Sequence, residues 1–338
     1  MGIKDLTKFL KDNAPESINF VSLGELQNKK VAIDISIFLY KFKYKNKNII
    51  QKFLEQIHRL KLNNITPIYI FDGPPPKEKF KTIIERKEKM EDNIKKKESI
   101  KEELTKLINA NNSINNDRIN YLKKELDKFE DKLIKITKED ISSVKYFFDV
   151  LNIKYIQAKG EADILCSKLC TQNICQMVMS EDMDILTSGT PLLLREFNCN
   201  NNKIYSYNLN IILDKLNLSY EKWVEFCILC GCDYVKRIYG LGPKFSYKLI
   251  KDNSIEEVLN IIKSRDKITI PENYLDKFYK AKNIFMINEL ELELENNLNL
   301  DKETKLFDNE LKNIKLYLTK NTTLSNKQID NRIKNIYK

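Results

Sequence analysis

Seven carboxylic acids stand where an α/β chain presents side chains to a ligand. Asp34 closes the apolar run "KKVAID", Asp72 follows "ITPIYIF", and Asp182 comes soon after "ICQMVM" with Asp184 two residues on. Glu161 and Asp163 open a helical stretch after "QAKG", and Asp233 ends the helix "FCILCGC". Each acid alone reads as a helix cap, the ordinary place for Asp or Glu beside a helix start. Seven are harder to dismiss, because clustered carboxylates raise one another's pKa and need positive charge to stay ionised. Oxygen donors without Cys or His point to Mg²⁺ or Mn²⁺. Two such ions about 3.5 to 4 Å apart can activate a water and stabilise the leaving oxygen of a phosphodiester. The acids therefore predict a divalent-metal centre, and joined to the basic chain and its basic helical arm they read as a nuclease.

Competing chemistries find little support. The only histidine, His58, sits at helical spacing in "FLEQIHRLKL" and reads as a packing residue, which leaves Ser-His-Asp and Cys-His catalysis without a base. Seven cysteines lie mostly in apolar helical text, and a zinc site on Cys227, Cys230 and Cys232 lacks a nearby fourth ligand. Buried reduced thiols are the expectation. A chain of 338 residues with 42% hydrophobic and 31% charged residues is expected to fold. No apolar run approaches the roughly 20 residues of a membrane span, and "MGIKDLTKFLKDN" lacks the features of a secretion signal. A soluble intracellular protein follows, with nucleus, cytoplasm and viral factory all open. The net charge of +10 suits a polyanion partner.

Four stretches must position the acids. In residues 1–76 two apolar strands flank the helix "NIIQKFLEQIHRLKL", a βαβ unit that predicts a parallel sheet with its acids at the carboxyl ends of the strands. Residues 77–136 differ: no Gly occurs between Gly73 and Gly160, and 19 of the 32 residues from Lys77 to Ile108 are charged, 11 of them basic. That composition predicts long solvated helix, broken near "NANNSINND", with too few apolar positions to bury against a core. Residues 137–217 return to alternating helix and strand, and 218–338 read as mainly helical.

Taken in order, "MGIKDLTKFL", "KKVAIDISIFLYKF", "YIFDGPPPKEKF", "AKGEADILCSKL", "SEDMDILTSG", "CILCGCDYVKRIYGLGPKFSYKLI" and "SIEEVL" resemble the motifs of the flap endonuclease family of structure-specific 5′ nucleases. The resemblance runs from residue 1 to about 260, and "LSNKQIDNRIKNIYK" is similar to the end of that nuclease core. It implies a PIN-like parallel-sheet core formed by 1–76 and 137–217, a helical arch and cap at 77–136, and a duplex-binding region at 218–338 with a helix–two-turn–helix near 228–262. The family's metal acids fall on Asp34, Asp72, Glu161, Asp163, Asp182, Asp184 and Asp233, and two Mg²⁺ ions are implied, with Mn²⁺ able to substitute. Position 163 departs from the pattern, since "EADI" stands where the family resembles "EAEA". Family basic residues correspond to Lys79 and Arg86, aimed at the scissile phosphate. Tyr40 matches a tyrosine that stacks on a nucleotide next to the cut, though by its surroundings alone it reads as a core aromatic. Gly240, Gly242, Lys244 and Lys248 match the grip on duplex backbone, with K⁺ held in the same turn, and Gly2 joins the DNA-binding set.

Three departures refine the expectation. Only 37 residues separate Asp34 from Asp72, so the wedge segment is shortened to "KFKYKNKN" and a 3′-flap pocket is in doubt. The arm is somewhat longer than the usual arch and favours substrates with a free 5′ end. The final "RIKNIYK" carries no clamp-binding motif, so a sliding-clamp partner by that route is not expected. The partner expected is 5′-flapped, nicked or gapped DNA, bound by a monomer. Alternatives are a 5′ exonuclease or junction-resolving relative on the same fold, and a non-catalytic nucleic-acid scaffold.

Overall fold

The strands that end in acids are buried on both faces, and this is why they read as unbroken apolar runs. The computed structural model describes residues 2–44, 48–109, 116–265, 268–286 and 308–337. After helix α1 (Leu6–Asn13) the chain forms β1 (Ile18–Ser22), β2 (Lys30–Asp34), α2 (Ile35–Lys43), α3 (Ile49–Leu62) and β3 (Thr66–Phe71). The arm is α4 (Phe80–Asn109) and α5 (Asn116–Lys132), followed by α6 (Lys138–Val150), β4 (Tyr155–Gln157), α7 (Ala162–Thr171), β5 (Met177–Met179) and α8 (Asp184–Thr187). Then come β6 (Leu192–Arg195), β7 (Lys203–Asn208), α9 (Leu209–Leu216), α10 (Tyr220–Cys230), α11 (Pro243–Ile250), α12 (Ile255–Lys263), α13 (Tyr274–Met286), α14 (Asp308–Asn321) and α15 (Asn326–Ile336).

The seven strands form one sheet in the order β1-β7-β6-β5-β2-β3-β4. β2 pairs in parallel with both β3 and β5, and β5 with β6. From β2 the chain moves outward to β3 and β4, then returns to β5 on the other side of β2. The crevice beyond the ends of β2 and β5 is thus the switch point where open α/β sheets bind ligands. The parallel expectation holds for the middle of the sheet. β7 and β1 are antiparallel additions at one edge, as the short connection from β6 to β7 permits.

The two-residue period of the strands divides the core. Ala32, Ile68, Ile70, Val178 and Leu193 face α1, α7 and α9 to α13, while Val31, Ile33, Tyr69, Phe71, Met177 and Met179 face α2, α3, α6, α14 and α15. The last two helices therefore lie on the side of the sheet opposite α10 to α13. There Ile314, Leu318 and Ile329 are buried, and Asn335 meets the ring of half-buried His58 at 3.0 Å. α4 buries no residue along its 30 positions. Residues 45–47 of the shortened wedge segment and most of the expected break in the arm, 110–115, lie outside the described residues. All seven cysteines are free thiols, five of them buried. Among the described residues no helix is long and apolar enough to cross a membrane.

Candidate active site

Of the seven acids, Asp34 is a true helix cap, and the others stand in different local settings. Asp34, the last residue of β2, caps α2 by accepting from the amide of Ser36 at 3.1 Å, while its other oxygen accepts from the Ser180 hydroxyl at 3.0 Å. Asp72 stands one residue past β3 and accepts from the amide of Ala162 at 2.8 Å and from the Ser36 hydroxyl. Asp182 accepts from the amide of Asp184 at 3.0 Å. Glu161 is the N-cap residue of α7 but makes no side-chain cap bond, and Asp163 lies in the first turn of that helix. Asp233 does not end its helix. α10 stops at Cys230 because Gly231 turns to φ 91°, where a Cβ would stand 2.8 Å from Arg237, and Asp233 lies in the turn that follows.

Electrostatics ties the seven together. Burial, and next the Asp72 carboxylate, push Asp34 up to about 7. Burial and then Glu161 raise Asp163 well above the usual carboxylate range, with Asp182 and Asp34 adding to it. Asp184 is raised in the same way by burial and by Asp182, Asp233 and Asp163. Glu181 is turned away from the cluster. It binds Lys41 at 3.1 Å and accepts from the amide of Glu196, so the acid between Ser180 and Asp182 belongs to the scaffold.

Opposite the acids lies the start of α4. Lys79 pairs with Glu161 and, at 3.3 Å, with Asp233, and one Arg86 nitrogen reaches both Asp233 oxygens at 2.7 and 2.9 Å. Thr82, between them on the same helix face, donates to the Asp233 carbonyl at 2.6 Å. Burial pulls Lys79 down, but the Glu161 carboxylate outweighs it and holds the ammonium above its ordinary range. The buried Asp184 Oδ1 has no hydrogen-bond partner, and an all-oxygen set with such an orphan fits a hard divalent cation. Among the described residues no three acids close into a finished cage. Glu161 and Asp233 are engaged by the arm's cations instead.

Gly2, at φ 77°, lies so close that a Cβ there would stand 2.0 Å from Asp182 Oδ1 and 2.7 Å from Asp184 Oδ1, so only glycine fits. Tyr40, on α2, is 50% exposed and is not the core aromatic its surroundings suggested. Gly240 and Gly242 form the turn before α11, which carries Lys244 and Lys248 as exposed charges; Lys244 pairs with Asp12 at 3.4 Å. The structure brings these four together on one turn and helix, and Lys79 and Arg86 onto the acids. Sequence reasoning missed Ser36, Ser180, Thr82 and Tyr234, all of which bond to site residues. Ser36 and Ser180, each two residues from a site aspartate, and Tyr234, directly after Asp233, carried a local signal. The single tryptophan, Trp223, is buried in α10 and donates to the Leu186 carbonyl in α8 at 3.1 Å, two residues beyond Asp184.

The chain is similar to known proteins along most of its length. The XPG N-terminal domain family pattern matches residues 1–93 and the XPG I-region pattern residues 152–233. Flap endonuclease 1 of Cryptosporidium muris is 32% identical over 313 residues, covering 84% of this chain and 62% of the relative, and that of Theileria annulata is 32% identical over 304 residues, covering 85% and 55%. The chain thus spans roughly three fifths of these relatives. Among solved structures, the catalytic core of Rad2 in complex with DNA substrate superposes with a TM-score of 0.68 at 20% identity over the whole of both chains. Flap endonuclease-1 from Methanococcus jannaschii follows at 0.60 and 21% identity over 97% of each. Human GEN1 in complex with Holliday junction DNA gives 0.62 at 17% identity, covering 99% of this chain and 77% of that one. At these identities the three structures speak for the fold.

Proposed function

The chain belongs to the flap endonuclease family, and from that premise we propose that it is a structure-specific 5′ nuclease. It hydrolyses DNA phosphodiesters at 5′ flaps and nearby 5′ ends, in replication, repair or recombination. What supports the reading is the mutual action of the carboxylates of Asp34, Asp163, Asp182 and Asp184 beside the sheet's switch point, with Lys79 paired to Glu161 and Asp233 and Arg86 to Asp233 at the root of the arm.

In this reading Asp34, Asp72, Glu161, Asp163, Asp182, Asp184 and Asp233 hold two Mg²⁺ ions, with Mn²⁺ as substitute. When bound, the pair would lower the pKa of an attacking water and offset charge on the leaving oxygen. Lys79 and Arg86 leave their carboxylate partners for the scissile phosphate, where fixed positive charge counts most in the transition state. Tyr40 offers an exposed ring for stacking on the nucleotide beside the cut. The 240–242 turn, with Lys244, Lys248 and a K⁺ ion, grips duplex phosphates without reading sequence. The arm, whose helix α4 buries no residue, lines a passage for the single strand.

Cleavage of 5′-labelled flap, nicked, bubble and four-way DNA, with Mg²⁺ and with chelator, tests the assignment. Flaps should be cut fastest, and chelator should abolish cutting. Streptavidin on a 5′ biotin should block cleavage when added before the protein and trap the complex when added after it. Equal cleavage in either order would make the arm a surface hairpin and favour the junction-resolving alternative. Metal-independent binding without cleavage would leave a scaffold.

A further inference from the structure

We propose that Tyr234 is a positioning residue for the candidate metal centre, its hydroxyl holding one oxygen of Glu161 so that the other is presented to the cleft. The proposal rests on the nuclease reading. The two Glu161 oxygens have different partners: Lys79 on Oε1 and the Tyr234 hydroxyl on Oε2. These partners differ in how they are held. Lys79 precedes a helix that buries nothing. Tyr234 belongs to the turn after α10, which is closed by the amide of Cys232 donating to the Val235 carbonyl at 3.0 Å. Its ring meets Phe285 of α13 edge-on, with centroids 5.4 Å apart, and Phe285 is buried.

If Lys79 turns to a phosphate, Oε1 is released while Oε2 stays fixed. A phenol suits that task because it satisfies one oxygen and leaves the carboxylate its full charge for a cation. Groups behind a metal ligand that fix its orientation commonly govern affinity by about 10- to 100-fold. Tyr234 also follows Asp233 directly, so one short turn supplies a candidate ligand and orients another. Phe285 links both to α13.

The test is a Mn²⁺ titration of the full chain, followed by the electron paramagnetic resonance signal of free ion. Wild type, Y234F, E161Q and the double variant are compared, with F285L as a milder perturbation and D184N as a control. Y234F should weaken Mn²⁺ affinity about tenfold, F285L should weaken it less in the same direction, and Y234F should add less than twofold in the E161Q background. In cleavage, Y234F should raise the Mn²⁺ concentration for half-maximal rate by more than it lowers the rate at saturation. Unchanged or tighter Mn²⁺ binding by Y234F would overturn the proposal, as would an equal loss with and without the Glu161 carboxylate. Wild type that binds Mn²⁺ and loses it in D184N preserves the nuclease reading whatever Tyr234 does. Wild type that binds no Mn²⁺ overturns both.

Discussion

The acids and the cations of the site are carried by opposite kinds of structure. Asp34, Asp72 and Asp182 lie at or just beyond the ends of strands buried on both faces and Asp184 opens α8; Asp34 and Asp184 are buried while Asp72 is exposed, and the strands rest on a core where Phe53, Phe147 and Phe148 are fully covered. Lys79 and Arg86 stand at the root of a 30-residue helix with no buried residue. What fixes the acids is packing. What holds the cations over them is charge, assisted by the Thr82 bond and by Lys236 on Glu85 at 2.5 Å. The difference teaches that the negative half of the site is preorganised while the positive half can change partners, as it must if the same groups are to meet a phosphate.

The largest test of this contrast is Asp184→Asn. It should reduce single-turnover flap cleavage by orders of magnitude while Ca²⁺-supported flap binding stays largely intact. Near-normal cleavage would remove the acids from the chemistry. Next come Lys79→Ala and Arg86→Ala, each expected to slow cleavage by about 10²- to 10³-fold with little loss of affinity, the scale of one fixed charge-stabilising donor. If either only flattened the salt dependence of binding, that residue would be an ordinary phosphate contact.

Stability sharpens the comparison at lower magnitude. Phe148→Ala, in the core, should cost about 3–5 kcal/mol in urea unfolding, and Ile94→Ala, 40% exposed on α4, within about 0.5 kcal/mol. Equal costs would make the arm part of the core. The smallest effect is on pH. Asp34 is raised from its ordinary 3.8 to about 7, so the metal-free fold holds a proton that the unfolded chain has already lost. That contribution to stability is complete below about pH 4 and is lost as pH rises toward 7 and above. In chelator the protein should therefore melt a few degrees lower at pH 8 than at pH 5.5, and Mg²⁺ should narrow the gap. A gap unchanged by Mg²⁺ would separate Asp34 from the metals.

Much of this was legible because β2, β3 and β5 are covered on both sides. Such strands must be apolar throughout, so Asp34 at the end of β2, Asp72 directly after β3 and the acids Glu181, Asp182 and Asp184 soon after β5 stand out against them. The antiparallel edge was not legible as such, since "INFVS" in β1 is short and partly exposed. The place of Asp233 was misread because "FCILCGC" is apolar to its end, and only the positive φ of Gly231 breaks the helix. The exposure of Tyr40 and the bond from Tyr234 to Glu161 depend on how distant segments meet, the latter pair being 73 residues apart. α14 and α15 have the polarity of surface helices, and nothing local marks which side of the sheet they cover.

The lone indole described above also makes the protein its own optical probe. Trp223 is the one tryptophan emitter in the chain, shielded from solvent and hydrogen-bonded to the short helix that begins at Asp184. Intrinsic emission excited at the red edge therefore reports a single site, with no averaging over chromophores and no attached dye. Were a cation taken up by Asp182 and Asp184 to move the Leu186 carbonyl that this indole donates to, the emission would change, and stopped flow would time the event before any DNA is present.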